Sequence, residues 1–271
     1  MKLKSYFKKY GYKRDKNGIF IDLKNKKNYF YSHWEISDQK ISDSKYIVAK
    51  NFFQSKEKFF DKPLKILDAG CGDGVHINYL LRSFSEYILE IHGVDISYSA
   101  LNKLTTTNDQ KLFLVNSSID NLPYPNNFFD FVFSYGVIGY TDFPNKTVSE
   151  LSRVLNKNGI LGLWNYKRKK SLSFKAFLAL RRLVKLLPLS IKNLICFFVV
   201  LFLPFIKTNS GINLFNSSLS QCMEIVKVNL LPDNLIFFDQ DDINNWQKNN
   251  DLKLISKETD YNSITVWLSK K

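Results

Sequence analysis

The chain has 271 residues, enough for one large domain or one domain with an elaboration, and its 45% hydrophobic and 24% charged content excludes a disordered or fibrous protein. Its three cysteines, Cys71, Cys196 and Cys222, are odd in number and widely spaced, which argues against a disulfide framework or a cysteine metal site and suits a reducing cytoplasm. The net charge of +14 is concentrated, because 12 Lys and Arg but no Asp or Glu stand between Leu151 and Met223, a block that implies an anionic partner. Nucleic acid, a membrane surface and a phosphorylated substrate all meet that description.

Residues 1–63 are rich in Lys and Tyr, carry no apolar run of signal-peptide type at their start, and lack a clean period apart from a helix expected over 44–60. They read as an N-terminal extension packed on the main domain. From residue 64, strands and helices alternate. Strands are expected over 65–68, 90–95, 111–115, 128–134 and 159–164, with helices over 75–84, 98–104 (Ser97 as N-cap) and 146–155 between them. The run 128–134 is dominated by Phe and Val, as in strands buried on both faces. The alternation stops at Lys167 and resumes near Asp241 with a helix over 241–249 and two strands, 252–258 and 263–268. Such βα alternation implies a mostly parallel sheet with helices on both faces, seven strands in all, and residues 167–240 as an insertion after the fifth.

Between the first strand and its helix stands Leu67-Asp68-Ala69-Gly70-Cys71-Gly72-Asp73-Gly74. Alternate glycines allow a tight turn and close approach of a ligand to the backbone, and the following helix N-terminus offers unpaired N–H groups. Any tight βα turn favours glycine, so the turn alone is weak evidence. Asp95, closing the second strand 21 residues after Gly74, adds to it, since an acid at about that distance meets ribose hydroxyls in such folds. A dinucleotide fingerprint would need glycine at position 75, where Val75 stands.

The run D-x-G-x-G-x-G resembles motif I of class I S-adenosylmethionine-dependent methyltransferases. Leu122-Pro123-Tyr124 followed by Phe128-Phe129-Asp130 is similar to the "LPF…FD" segment of the small-molecule, methyltransferase type 11-like branch. Ser134-Tyr135-Gly136-Val137-Ile138, Glu150-Leu151-Ser152-Arg153-Val154-Leu155 and Lys157-Asn158-Gly159 resemble, in order, its strand-four motif, its "E-L-x-R-V-L" helix and its "K-P-G-G" turn. The resemblance implies a Rossmann-like α/β fold with an N-terminal extension (1–63), a cofactor-binding core (64–166), a helical cap inserted after strand five (167–240) and a C-terminal helix and strand pair (241–271) that completes the core. It implies S-adenosyl-L-methionine as cofactor. Asp68 and the backbone of Gly70, Gly72 and Gly74 would hold its methionine part, and Asp95 its ribose. Ile96 would pack on the adenine, Ser118 and Ile119 would flank the adenine edge, and Ser134 would line the methyl-donor end. Ser118 departs from the family's frequent Asp, which leaves the adenine contact without a charge.

An activated methyl donor needs mainly an acceptor held in line, and a general base only where the acceptor must lose a proton. Tyr140 stands where related small-molecule enzymes often carry His, and His33 beside Trp34 is the other candidate; for each the plain alternative is a packed or surface residue. No metal site is expected. The Asn/Asp-Pro-Pro-Tyr run of amide and base amino methyltransferases is absent, as is a Pro-Cys nucleophile, so an RNA-modifying enzyme ranks second despite the charge, and a non-catalytic cofactor-binding module third. In the insertion, residues 173–188 and 191–206 read as two helices broken at Pro188-Leu189-Ser190, with Lys175, Arg181, Arg182 and Lys185 in one sector of about 120°. Basic charge beside an apolar side fits either a lid or a helix lying on anionic lipid. The expectation is a cytoplasmic methyltransferase, peripheral to the membrane's inner face if the second option holds, acting on a small-molecule or lipid-like acceptor.

Overall fold

The structure, a computed structural model, describes residues 7–9, 11–22, 43–54, 56–104, 110–202, 219–232 and 234–271. One sheet of nine strands organises them: β1 (Tyr12–Arg14), β2 (Phe20–Asp22), β3 (Leu64–Ala69), β4 (Ile88–Asp95), β5 (Leu112–Asn116), β6 (Phe129–Tyr135), β7 (Leu155–Tyr166), β8 (Leu252–Thr259) and β9 (Ser263–Lys270). Their spatial order is β1-β2-β5-β4-β3-β6-β7-β9-β8, parallel from β2 to β7, with β1 and the β9–β8 pair antiparallel. The seven expected strands thus become nine. The hairpin β1–β2 adds itself to the β5 edge through Phe20 opposite Val115 and Ile21 opposite Asn116. Strands of three residues carry too little alternation to be recognised in isolation.

Helices cover both faces. On one face α1 (Asp43–Phe53), α2 (Val75–Ser83) and α3 (Tyr98–Leu104) bury Phe52, Phe53, Ile77, Leu80, Leu101 and Leu104 against Ile66, Ile91, Phe131 and Phe133. On the other, α4 (Pro144–Val154) and α8 (Gln240–Asn249) bury Val148, Leu151, Ile243 and Trp246 against Leu67, Val94, Val132 and Leu161. Successive strand residues therefore go to opposite cores, the period of two that the Phe/Val-rich β6 embodies. Local capping agrees with this packing. Pro144 opens α4 at its first turn, and Asp239 and Asp242 form a reciprocal capping box at the start of α8. The helix expected over 44–60 ends at Phe53, because Lys56 turns inward to pair with Glu258 at 2.8 Å and to lie over the Trp267 ring.

Among the described residues the insertion between β7 and α8 holds three helices, α5 (Leu172–Lys185), α6 (Leu189–Phe202) and α7 (Leu219–Leu230), where two were expected. The third lacks a strong apolar period and is stabilised by tertiary packing. Cys196 and Val200 of α6 meet Cys222, Val226 and Leu230 of α7 in a small core of their own. Residues 203–206, expected to continue α6, lie outside the described residues. The expected basic sector is also corrected. Arg181 points inward and is buried, donating to the Asn229 carbonyl and, at 2.9 Å, to the Pro232 carbonyl, so that it ties α5 to the end of α7.

The base of the insertion is laced shut. Lys167 bridges Phe238, the amide of Arg168 donates to the Phe238 carbonyl at 2.8 Å, and the Arg168 guanidinium pairs with Asp239 at 2.7 Å. The returning chain also donates from the Ile236 amide to the Gly139 carbonyl at 2.7 Å, and a Cβ at Gly139 would stand 2.5 Å from the Ile236 carbonyl. Any side chain at 139 would push the insertion off the turn after β6.

Candidate cofactor and acceptor site

The parallel register brings the carboxyl ends of β3 to β7 to one edge, where ligands of open α/β sheets bind. There Asp68 pairs in register with Gly93 and Phe133, Asp95 with Asn116, and Tyr135 with Trp164. The glycine turn crosses this edge. Gly70, Gly72 and Gly74 all have positive φ (86°, 52° and 79°), and the Gly70 and Cys71 amides both donate to the Val94 carbonyl. A Cβ on Gly70 would lie 2.4 Å from Val137, so the loop after β6 is pressed against the turn. Gly74 then starts α2 with no side-chain cap.

Three carboxylates gather around this turn. Asp68 is 1% exposed, Asp73 and Asp95 are also buried, and no ion pair reaches Asp68 or Asp95 among the described residues. Asp95 accepts from the Gly72 amide at 2.9 Å and the Ser97 amide at 2.8 Å. Burial raises its carboxyl above the usual range, and those amides pull it partly back. Asp68 is raised well above that range by burial and by the charges of Asp95 and Asp73, and its Oδ2 has no hydrogen-bond partner among the described residues. A buried acceptor without a donor is costly and calls for a partner. A cationic ligand with N–H or O–H groups would satisfy the site. The cofactor implied by the sequence, with its ammonium, sulfonium and ribose hydroxyls, has that character, so the residues fit it.

The residues expected to border an adenine lie past β4 and β5. Asn116 Nδ2 donates to the carbonyls of Asp95 (3.0 Å) and Ile96 (2.9 Å), bracing the acid's loop. Tyr12, brought in by the N-terminal hairpin, shares a 2.7 Å hydrogen bond with Ser117. Ser118 is half-buried and exchanges weak bonds with Asp120, while Ile119 is turned into the core. Ser134 is fully buried and donates to the Ala69 carbonyl at 2.7 Å, so its hydroxyl ties β6 to β3. Sequence reasoning missed Asp73, Asn116 and Ser117. Asp73 stood in the quoted motif, but its burial depends on how the turn folds back, and Asn116 and Ser117 carried no signal.

On the side toward the insertion a chain of rings runs from the glycine turn to α5. His76 of α2 packs on Tyr135 (4.6 Å), Tyr135 stacks on Trp164 (4.5 Å, 14°), and Trp164 meets Tyr166 edge-on (5.0 Å). Tyr166 continues to Phe237 on the returning chain, and Phe237 to Phe174 of α5 (4.8 Å). Tyr140 packs across Tyr166 and hydrogen-bonds to its hydroxyl, which offsets part of the rise that burial causes there. Tyr135, Trp164, Tyr166, Tyr140 and Phe237 are half-buried rather than sealed. His76 is neutral, its pKa lowered by burial to about 3, which suits a packed ring better than a base. His33 lies outside the described residues. A hollow of about 360 Å³ lined by Asn244, Lys248 and Lys253 sits beside the amino end of β8, which pairs with the last residues of β9 at the far end of the sheet from this site.

Residues 67–163 match the family described as "Methyltransferase domain". The chain is 28% identical over 116 residues to the malonyl-[acyl-carrier protein] O-methyltransferase of Legionella pneumophila, covering 42% of this chain and 40% of that one. It is 30% identical over 122 residues to the ubiquinone/menaquinone biosynthesis C-methyltransferase UbiE of Campylobacter jejuni, covering 44% and 51%. The chain thus spans about half or less of the curated relatives it matches. Among solved structures it is similar in fold to the 1,6-didemethyltoxoflavin-N1-methyltransferase of Burkholderia thailandensis, solved with S-adenosylhomocysteine, at a TM-score of 0.52 and 10% identity over 85% of this chain and 80% of that one. A glycine turn ringed by buried acids, the sheet order around it and these likenesses agree: residues 67–163 match a methyltransferase domain, and the chain has the fold of solved S-adenosylmethionine-dependent methyltransferases.

Proposed function

We propose that this chain transfers a methyl group from S-adenosylmethionine to a small, apolar or lipid-like acceptor held between the carboxyl edge of the sheet and the helical insertion. The observation that carries the reading is the buried acid cluster at the glycine turn, with the unpartnered Oδ2 of Asp68. In this reading Asp68 and the backbone of Gly70, Gly72 and Gly74 hold the methionine part, Asp95 accepts from the ribose hydroxyls, and Ile96, Ser118 and Ile119 border the adenine. The bound cofactor supplies a methyl group already activated on a sulfonium. The chain's task is therefore to align the acceptor and keep water out. The wall of Tyr135, Trp164, Tyr166 and Phe237 does both for an apolar acceptor, and Tyr140, next to Tyr166, orients its polar end.

The structure weakens the case for an RNA acceptor by using basic residues of the insertion internally. Arg181 is buried under α7, Arg168 is paired with Asp239, and Lys169 lies 3.6 Å from the Tyr261 ring centre. Calorimetry with S-adenosylhomocysteine and with NAD tests the cofactor, and a preference for NAD overturns the reading. Mass spectrometry of a lipid and metabolite extract incubated with enzyme and isotopically labelled cofactor tests the transfer. Label in small apolar molecules is expected, and label confined to RNA would refute the acceptor class.

A further inference from the structure

Ten of the sixteen large apolar side chains that stand exposed among the described residues belong to the insertion. On α6, Ile191, Leu194, Phe197, Phe198 and Leu201 are exposed, Leu194 by 54% and Phe198 by 52%, while Cys196 and Val200 on the opposite side are buried against α7. At 100° per residue the five exposed positions fall within about 120°. On α5, Phe174, Arg181 and Val184 face inward. Leu172, Ala176, Ala179, Leu183 and Leu186 form a second exposed strip within about 80°, and Lys175 and Arg182 run along its flank, both exposed. The turn that joins the two helices is exposed as well, Leu186 by 83% and Pro188 beside it.

We infer that the outer face of the α5–α6 hairpin is a docking surface for an anionic lipid bilayer. The charge distribution names the occupant. From Leu151 to Met223 no acid occurs, and Lys170, Lys175, Arg182 and Lys185 are exposed beside the apolar strips. An apolar face bordered by cations and free of anions matches the acyl chains and phosphates of an anionic leaflet. Nucleic acid would engage the cations and leave the large apolar residues in water. The hairpin lies in the interface and does not cross it. No helix among the described residues is long and apolar enough to span a membrane, and the 14 residues of α6 reach about 21 Å against a hydrocarbon core of about 30 Å. Arg181, tied to the carbonyls of Asn229 and Pro232, serves as the strut that holds α5 so that its apolar strip faces outward. The docking stands without the methyl-transfer reading. Its consequence, that the aromatic wall opens beside a membrane holding the acceptor, rests on that reading.

Flotation of the purified full chain with vesicles tests the inference, with no cofactor or acceptor added. Phosphatidylcholine vesicles are compared with vesicles containing phosphatidylglycerol. The wild type should float with the anionic vesicles and detach at high salt. Leu194→Ser/Phe198→Ser, two exposed positions whose change leaves the core intact, should lose at least tenfold in partition on both vesicle types. Arg182→Gln/Lys185→Gln should lose about 30-fold on anionic vesicles alone, about fivefold per charge. Circular dichroism and S-adenosylhomocysteine calorimetry of the same proteins separate a failed docking from a failed fold or a failed cofactor assignment. Absence of flotation by the wild type, or equal flotation by Leu194→Ser/Phe198→Ser, overturns the inference. A wild-type dimer that this variant converts to monomer, without flotation, also overturns it and assigns the face to a second copy of the chain.

Discussion

Replacing Asp68 with Asn should stabilise the ligand-free protein and weaken cofactor binding at once. Asp68 is buried beside Asp95 and Asp73, pairs with no cation among the described residues, and has an oxygen with no donor. Its folded pKa is raised, so the folded state prefers the protonated acid. Stability is therefore present below the unfolded value, near 3.9, and lost as pH rises through the folded one. An amide keeps the volume, removes the charge and offers N–H groups toward two neighbouring acids. A net gain on the order of 1 kcal/mol corresponds to about 2–4 °C in melting temperature for a domain of this size. Losing a charge-assisted contact to the cofactor costs about 1.5–3 kcal/mol, or roughly 10- to 150-fold in Kd. Thermal melts at pH 7.5 without ligand, with calorimetry of S-adenosylhomocysteine, measure both effects. A lower apo melting temperature together with unchanged affinity would show that Asp68 is a structural acid whose partner lies within the chain.

Asp95→Ala should weaken cofactor binding by a similar 1.5–3 kcal/mol, and should also cost about 1–3 kcal/mol of stability by orphaning the Gly72 and Ser97 amides; calorimetry and urea melts separate the two effects. Gly70→Ala places a methyl 2.4 Å from Val137 at a φ of 86°, so a loss of about 2–4 kcal/mol is expected. Val137→Ala in the same chain should restore the crowding part and leave the backbone part, and full rescue would refute the left-handed strain. His76, with its pKa lowered to about 3, disfavours the folded state as pH falls below about 6.5, and at pH 5 the loss attributable to it is about 2 kcal/mol. The stability gap between His76→Phe and wild type should shift by that amount, in favour of the variant, between pH 7.5 and pH 5 in denaturant melts; a gap that stays constant with pH would mean that His76 is not buried as a neutral ring.

Much of this protein is determined by short stretches of its own sequence. Strands β3 to β9 were legible because each is a local apolar run bounded by turn residues, and α8 was expected over 241–249, within a residue of its observed span. The glycine turn was legible because a left-handed backbone at Gly70 and Gly74 and an acid at a strand end are requirements met within a few residues. Features that depend on partners far along the chain were decided by tertiary structure. The hairpin β1–β2 exists because the β5 edge accepts it. Arg181 is a buried strut because the Asn229 and Pro232 carbonyls lie over it, and sequence period alone placed it with the exposed cations. Likewise, α7 takes its stability from the face of α6 that it covers, and the wall from His76 to Phe174 joins rings from five separate elements. A strand, cap or turn is selected by backbone preferences that a residue and its near neighbours already set. Burial of a charge, or alignment of rings, is an energy shared among residues that meet only after the sheet has fixed its register.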